Sequence, residues 1–104
     1  MSMDFEPDLD KHQTQAVHDF IHREILNEGC RLKKKRKALQ EACQIICNLN
    51  TLIAFDNTAD FYVKLCTQLF VVCQALEIKD FLVQKIIERF GSDCFFLSCF
   101  LKQP

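Results

Sequence analysis

TADFYVKLCTQLFVVCQALE, residues 58–77, is the stretch that decides the fold of this chain of 104 residues. Its apolar residues recur at three- and four-residue spacing and also fill many of the positions between, which is typical of a helix buried on most sides. Such a helix has little surface left for water. We therefore expect it to be the central helix of the fold, or else the face of a subunit interface.

Helical periodicity also appears on both sides of this segment, so the remaining chain is predicted to pack around it as further helices. The stretch 50–58, NTLIAFDNT, mixes β-branched and turn-forming residues and is predicted to be a connection. The other predicted helices cover about 9–28, 30–50 and 80–90, with a short one at 93–101.

Glycine and proline are scarce, with only two of each. An all-β domain needs turn residues every 8–12 positions, so the composition favours an all-α fold, a compact bundle of four to five helices. Gly29 and Gly91 are expected to end the first and fourth helices, and Asp80 and Ser92 to cap the helices that follow a break. We divide the chain into a flexible acidic arm, 1–8, and a single helical domain, 9–104.

Composition places the chain among globular proteins, with 49% apolar and 26% charged residues. The seven cysteines are odd in number, and the acidic start MSMDFEPDLD does not resemble a signal peptide. Reduced thiols in the nucleus or cytoplasm are therefore expected. The longest uncharged stretches, 42–55 and 65–76, are too short to span a bilayer, so no membrane association is predicted.

A basic run, with no acid between its first and last members, stands near the predicted start of the second helix. Its core KKKRK resembles the lysine-rich nuclear import signal of a polyomavirus large T antigen. Contact with nucleic acid or an acidic protein, or a merely solvated helix end, would use the same charges. Since cations at a helix N-terminus oppose its dipole, neutral residues at 33–37 should leave the melting temperature unchanged or slightly higher. The run consists of Arg31, Lys33, Lys34, Lys35, Arg36 and Lys37.

HDFIH, residues 18–22, is similar to the zinc-hydrolase motif HExxH, with the acid one methylene shorter. A catalytic zinc also needs a substrate cleft and a third ligand, which Glu24 or His12 would supply only by coincidence of the fold, so ordinary, partly exposed histidines are expected. The cysteines form no CxxC pair and lie in apolar helical stripes, which predicts core packing. No catalytic residue, metal site or cofactor is predicted.

The C-terminal segment DCFFLSCFL, 93–101, carries more large apolar side chains than a short helix can turn toward one core. We expect a second chain, either a copy or a different protein, to cover those that remain exposed. The predicted partner interface consists of Phe95, Phe96, Leu97, Phe100 and Leu101.

Together these features predict a non-catalytic protein–protein interaction domain, a subunit or adaptor of a nuclear or cytosolic complex. It would associate with a protein partner, or with itself, through apolar helical surfaces. The alternative is a nucleic-acid-associated protein that contacts phosphates through the basic run at 31–37.

Overall fold

The computed structural model describes residues 10–27, 35–54 and 59–102, and every regular element within those ranges is a helix. The prediction of an all-α bundle is therefore confirmed. The predicted acidic arm, Gly29 and the predicted helix start at residue 30 lie outside the described residues. The helices are α1 Lys11–Phe20, continued directly by a π-helical segment Ile21–Leu26, then α2 Arg36–Ala54, α3 Ala59–Ala75, α4 Lys79–Phe90 and α5 Phe95–Phe100.

The first helix begins at Asp10, whose side chain accepts a hydrogen bond from the Gln13 backbone N–H at 3.1 Å. This satisfies one of the N–H groups that the first turn of a helix leaves unpaired. At Ile21 the helix changes to π geometry, which continues to Leu26 without a break in the chain. We call Ile21–Leu26 the π segment; π-helical turns are rare and often occur at functional sites.

The second helix ends later than predicted, since it continues through Asn50 to Ala54. Ile53 is buried in the last turn, so burial extends the helix into a stretch whose composition had indicated a connection. On its buried side α2 packs against α1 with the π segment, and against α3.

The third helix packs against α2, α4 and α5, which fits the predicted central position. The expectation that it would have little face for water is wrong, because Phe61 and Val71 are more than half exposed. They lie ten residues apart on a side that also exposes Lys64 and Gln68. The buried side consists of Tyr62, Cys66, Leu69, Val72, Cys73 and Leu76.

The end of α3 is closed by a Schellman arrangement without glycine. The Ile78 N–H donates to the Cys73 carbonyl and the Glu77 N–H to the Gln74 carbonyl, both at 3.0 Å. Glu77 takes the left-handed position with φ 61°, where a side chain costs roughly 1–2 kcal/mol relative to glycine. A further contact must compensate for that cost.

The two capping predictions for the last helices are wrong. α4 begins after Ile78 and α5 after Cys94, neither with a side-chain cap, so Asp80 lies within the first turn of α4. Gly91 does end α4 as predicted, with φ 88° and its N–H bonded to the Ile87 carbonyl. The start of α5 is therefore set by burial of the apolar segment that begins at Cys94, and not by a capping side chain.

The C-terminal helix is a core element, which corrects the predicted partner interface. Phe96, Leu97 and Phe100 are buried within the monomer. The Phe96 and Phe100 rings stack at 5.1 Å between centroids, and Phe100 meets Phe70 of α3 at 5.4 Å. Because α5 lies against both α3 and α1, these two helices cover several sides of it at once. The prediction of a partner interface assumed a single core on one side of α5 and therefore assigned the other sides to a second chain.

No single helix in the described ranges is long and apolar enough to cross a membrane. Taken together, α3 and α4 have the length and the apolar composition of a membrane-spanning segment, but the two helices are bent by 119° at the break between them.

Candidate interaction surface

Three helices meet at a buried histidine. His18 of α1 is fully buried, with Nδ1 2.6 Å from Oδ1 of Asn50 on α2 and Nε2 2.7 Å from the hydroxyl of Tyr62 on α3. An amide oxygen only accepts, so Nδ1 carries the proton, and Nε2 accepts from the tyrosine O–H. The site is a neutral, fully paired polar cluster inside an apolar core, and it corrects the expectation of a partly exposed histidine.

Burial controls the protonation of this cluster. Loss of solvent lowers the pKa of His18 to about 4, although the bond to Asn50 and the charge of Asp19 act in the opposite direction. Burial likewise raises the pKa of Tyr62 far above its usual range. Both side chains are therefore neutral near pH 7, and they fix the relative positions of the first three helices.

The resemblance to HExxH does not extend to a metal site within the described residues. Both ring nitrogens of His18 are engaged, so the first potential ligand has no free lone pair. Across the described part of the chain, no three histidine, cysteine or acidic side chains group closely enough to hold a metal ion.

The described cysteines are free thiols, and most are packing residues as predicted. Cys66, Cys73, Cys94 and Cys99 are buried, whereas Cys47 is exposed. Burial raises the pKa of Cys73 to about 12 and that of Cys66 still further. Because the thiolate is the nucleophile, these buried thiols are poorly suited to covalent chemistry.

Among the members of the basic run that the structure describes, Lys35 makes a structural contact. The Lys35 ammonium donates to the Leu76 carbonyl at 3.0 Å and pairs with Glu77 at 3.3 Å, at the Schellman end of α3. It compensates the negative end of that helix and holds the strained Glu77. Arg36 and Lys37 are exposed, while Arg31, Lys33 and Lys34 lie outside the described residues.

Of the predicted interface, Leu101 alone is well exposed, at 48%, and Phe95 is half-buried against Tyr62. Leu101 lines a shallow concavity on one side of α4, together with Val83 and Ile87. The structure thus retains only the edge of the C-terminal segment as an accessible apolar surface.

A groove on the other side of α4 brings together residues that the sequence had not marked. It has a volume of about 560 Å³, and the π segment with the end of α1 forms one wall and α4 the other. Half-buried Phe20 supplies apolar surface from the first wall, where Ile25 is only 4% exposed, and Phe81, 49% exposed, supplies it from the second. We call it the π groove.

Charged side chains rim the π groove. Arg89 of α4 pairs with Glu24 of the π segment at 3.0 Å and lies over the Phe20 ring, 4.9 Å from its centroid. The Lys85 ammonium lies 5.5 Å from the centroid of the Phe81 ring. Its distance to the Glu88 carboxylate is 3.9 Å, which is near the outer limit of an ion pair. The rim thus combines cations with aromatic faces.

Sequence reasoning missed the π groove for a physical reason. Phe20 fits the apolar stripe of its own helix, whereas Phe81 lies off the buried side of α4, which carries Leu82 and Ile86. Their convergence depends on the packing of two helices, since the two residues are 61 positions apart in sequence. The π geometry also leaves no periodic signal, because it covers only Ile21–Leu26.

No protein-family model matches the chain, and neither the curated proteins nor the solved structures contain one with significant similarity to it. Its function must therefore follow from its own geometry.

Proposed function

We propose that this chain is a non-catalytic protein–protein interaction domain, and that it binds a helical segment of a partner protein in the π groove. The observation that carries the proposal is the coincidence of two features. A rare π-helical turn forms one wall of a concave surface, and a half-exposed phenylalanine, Phe81, forms part of the other. An amphipathic helix that lays its apolar face in such a groove is a common mode of recognition.

The arrangement of apolar residues favours this groove over the exposed side of α3. Phe61 and Val71 are about 15 Å apart along their helix, with Lys64 and Gln68 between them. Phe20 and Phe81 instead line one concavity, so a single bound side chain can contact both of them. Interface energy concentrates where anchors enter such pockets.

The polar groups of the core support a binding role rather than a catalytic one. His18 is neutral and hydrogen-bonded at both nitrogens, and the buried thiols are held protonated. His18 joins three helices through its hydrogen bonds, and the thiols pack within the core. None of them faces the π groove, whose lining is apolar or formed by charged side chains.

The test compares two serine variants in affinity capture from extracts of the cells that make the protein, followed by titration of each captured protein with purified chain. Phe81→Ser removes the anchor in the groove. Phe61→Ser removes an equally large side chain, 57% exposed, from α3 and serves as the matched control. Both variants should melt close to the unmodified chain, because neither ring is in the core.

We expect partners to be retained by the unmodified chain and by Phe61→Ser, with binding to Phe81→Ser weakened about tenfold or more. Equal binding to Phe81→Ser would show that the π groove is not the contact surface. Loss with Phe61→Ser alone would move the interface to α3.

A further inference from the structure

We infer that the helix bound in the π groove is acidic along its flanks, with carboxylates on either side of its apolar face. This inference rests on the proposed function and specifies its partner by charge. Three cations, Arg23, Lys85 and Arg89, line the groove against two carboxylates, Glu24 and Glu88.

The pairing of these charges leaves the cations in excess. Glu24 is already held by Arg89 at 3.0 Å, and Glu88 has only its distant contact with Lys85. Arg23 is exposed on the π segment, and its guanidinium has no ion-pair partner within the described part of the chain. The groove therefore carries a local positive charge on a protein whose formal net charge is −1.

The position of the cations matches the flanks of a bound helix. Phe20 and Phe81 supply the accessible apolar surface of the two walls, and each wall also carries a cation, Arg23 beside Phe20 and Lys85 beside Phe81. A helix that turns leucines at i, i+3 and i+7 toward the two rings would place its flanking residues beside these two cations. Glutamates there would pair with them, whereas lysines would meet like charge at both walls.

The experiment selects peptides from a displayed library against the purified full chain. The library fixes leucine at helical spacing in peptides of about 18 residues and leaves the flanking positions open to glutamate, glutamine or lysine. Recovered peptides are then titrated against Phe81→Ser and against the charge reversal Arg23→Glu with Lys85→Glu. Arg89 is left unchanged because it also stacks on Phe20 and Phe90. Arg36→Glu reverses an exposed cation on α2 and is the matched control.

We expect glutamate to be enriched at the flanks, and binding to fall about tenfold or more in the double reversal while Arg36→Glu binds normally. A recovered peptide with its glutamates changed to lysine should regain affinity for the reversed groove. If recovered peptides require Phe81 but show no preference for glutamate, the inference that the bound helix is acidic is wrong, while the proposed function stands. If no recovered peptide depends on Phe81, the proposed function itself is wrong.

Discussion

His18 is the residue whose environment differs most from what its place in the sequence indicated. Its partners, Asn50 and Tyr62, are 32 and 44 residues away, and no local pattern relates these three positions. The helical spacing placed His18 beside an apolar stripe, but which side chains would meet its ring depended on how α2 and α3 pack. The hydrogen bonds of His18 to other helices therefore could not be predicted from the sequence. The apolar stripe of α1 could be predicted, because it depends only on spacing within that helix.

The first prediction is a pH dependence of stability that comes from His18. Its pKa is about 4 in the folded chain and about 6.5 when exposed, so the unfolded chain takes up a proton that the folded chain excludes. The free energy of unfolding should therefore be constant from this source above pH 6.5 and fall by about 2–3 kcal/mol between pH 6.5 and 4. Urea titrations at several pH values measure it.

The control for this prediction is a pair of glutamine variants. His18→Gln should be less stable at pH 7, because a buried polar group loses its fitted partners, but should lack this part of the acid sensitivity. His12→Gln changes an exposed histidine and should keep it. An unchanged pH profile in His18→Gln would show that the destabilising proton binds elsewhere.

The second prediction separates two lysines of the basic run. Lys35→Met removes the bond to the Leu76 carbonyl and the pair with Glu77, so the free energy of unfolding should fall by about 1 kcal/mol. Lys37→Met should change it by less than about 0.5 kcal/mol, because Lys37 is exposed. Denaturant titration at neutral pH compares them. If Lys35→Met is as stable as the original chain, the contacts of Lys35 with Leu76 and Glu77 do not stabilise the fold.

At the scale of elements, apolar periodicity located each described helix but not its ends. The predicted helix at 58–77 is observed as Ala59–Ala75, because the repeat that predicts it is the one that packs against α2 and α5. The predicted end of α2 was too early, because Thr51 and Asn50 resemble a turn while Ile53 is buried. Helix ends depend on tertiary burial, which a local pattern does not contain.

The third prediction concerns α5, which the sequence had indicated as a partner interface and which lies in the core. Phe96 is fully buried between Phe100 and His18, so Phe96→Ala should lower the free energy of unfolding by about 3–5 kcal/mol. Leu101→Ala, one turn beyond and half exposed, should cost less than about 1 kcal/mol. Guanidinium titration followed by circular dichroism measures both. If Phe96→Ala is as stable as the original chain, α5 does not contribute to the core in solution.

At the scale of the whole molecule, the fold class followed from composition, whereas the interaction surface did not. Too few turn residues for sheets and a dominant apolar helix at 58–77 leave little besides a helical bundle. The π groove instead requires Phe20 and Phe81 to face one another across two helices, a relation that exists only after packing. The partner interface predicted for the apolar C-terminal segment was wrong for the same reason, because only the packed fold shows that α1 and α3 together cover this segment.

The fourth prediction uses cysteines as reporters of global opening. In native buffer a thiol reagent such as iodoacetamide should modify Cys47 rapidly, because that side chain is exposed, and Cys66 and Cys73 only through unfolding. The ratio of these rates should follow the free energy of unfolding as urea is added. Peptide mass spectrometry assigns each site. Modification of Cys66 at the rate of Cys47 would indicate a core that opens locally between α3 and α5.

The π segment has a consequence for the length of the chain. Six residues bonded in the π pattern turn through about the same angle as five in an α-helix, so Ile21–Leu26 holds one residue more than the continuation of α1 requires. Loss of any one exposed residue there would let the segment close as an ordinary helix, with Val17 before it and Leu26 after it still directed to the core. The surplus residue lies in the stretch that lines the π groove through Arg23, Glu24 and Ile25. A version of this chain shorter by one residue would thus keep the same core and present a different surface at the π groove.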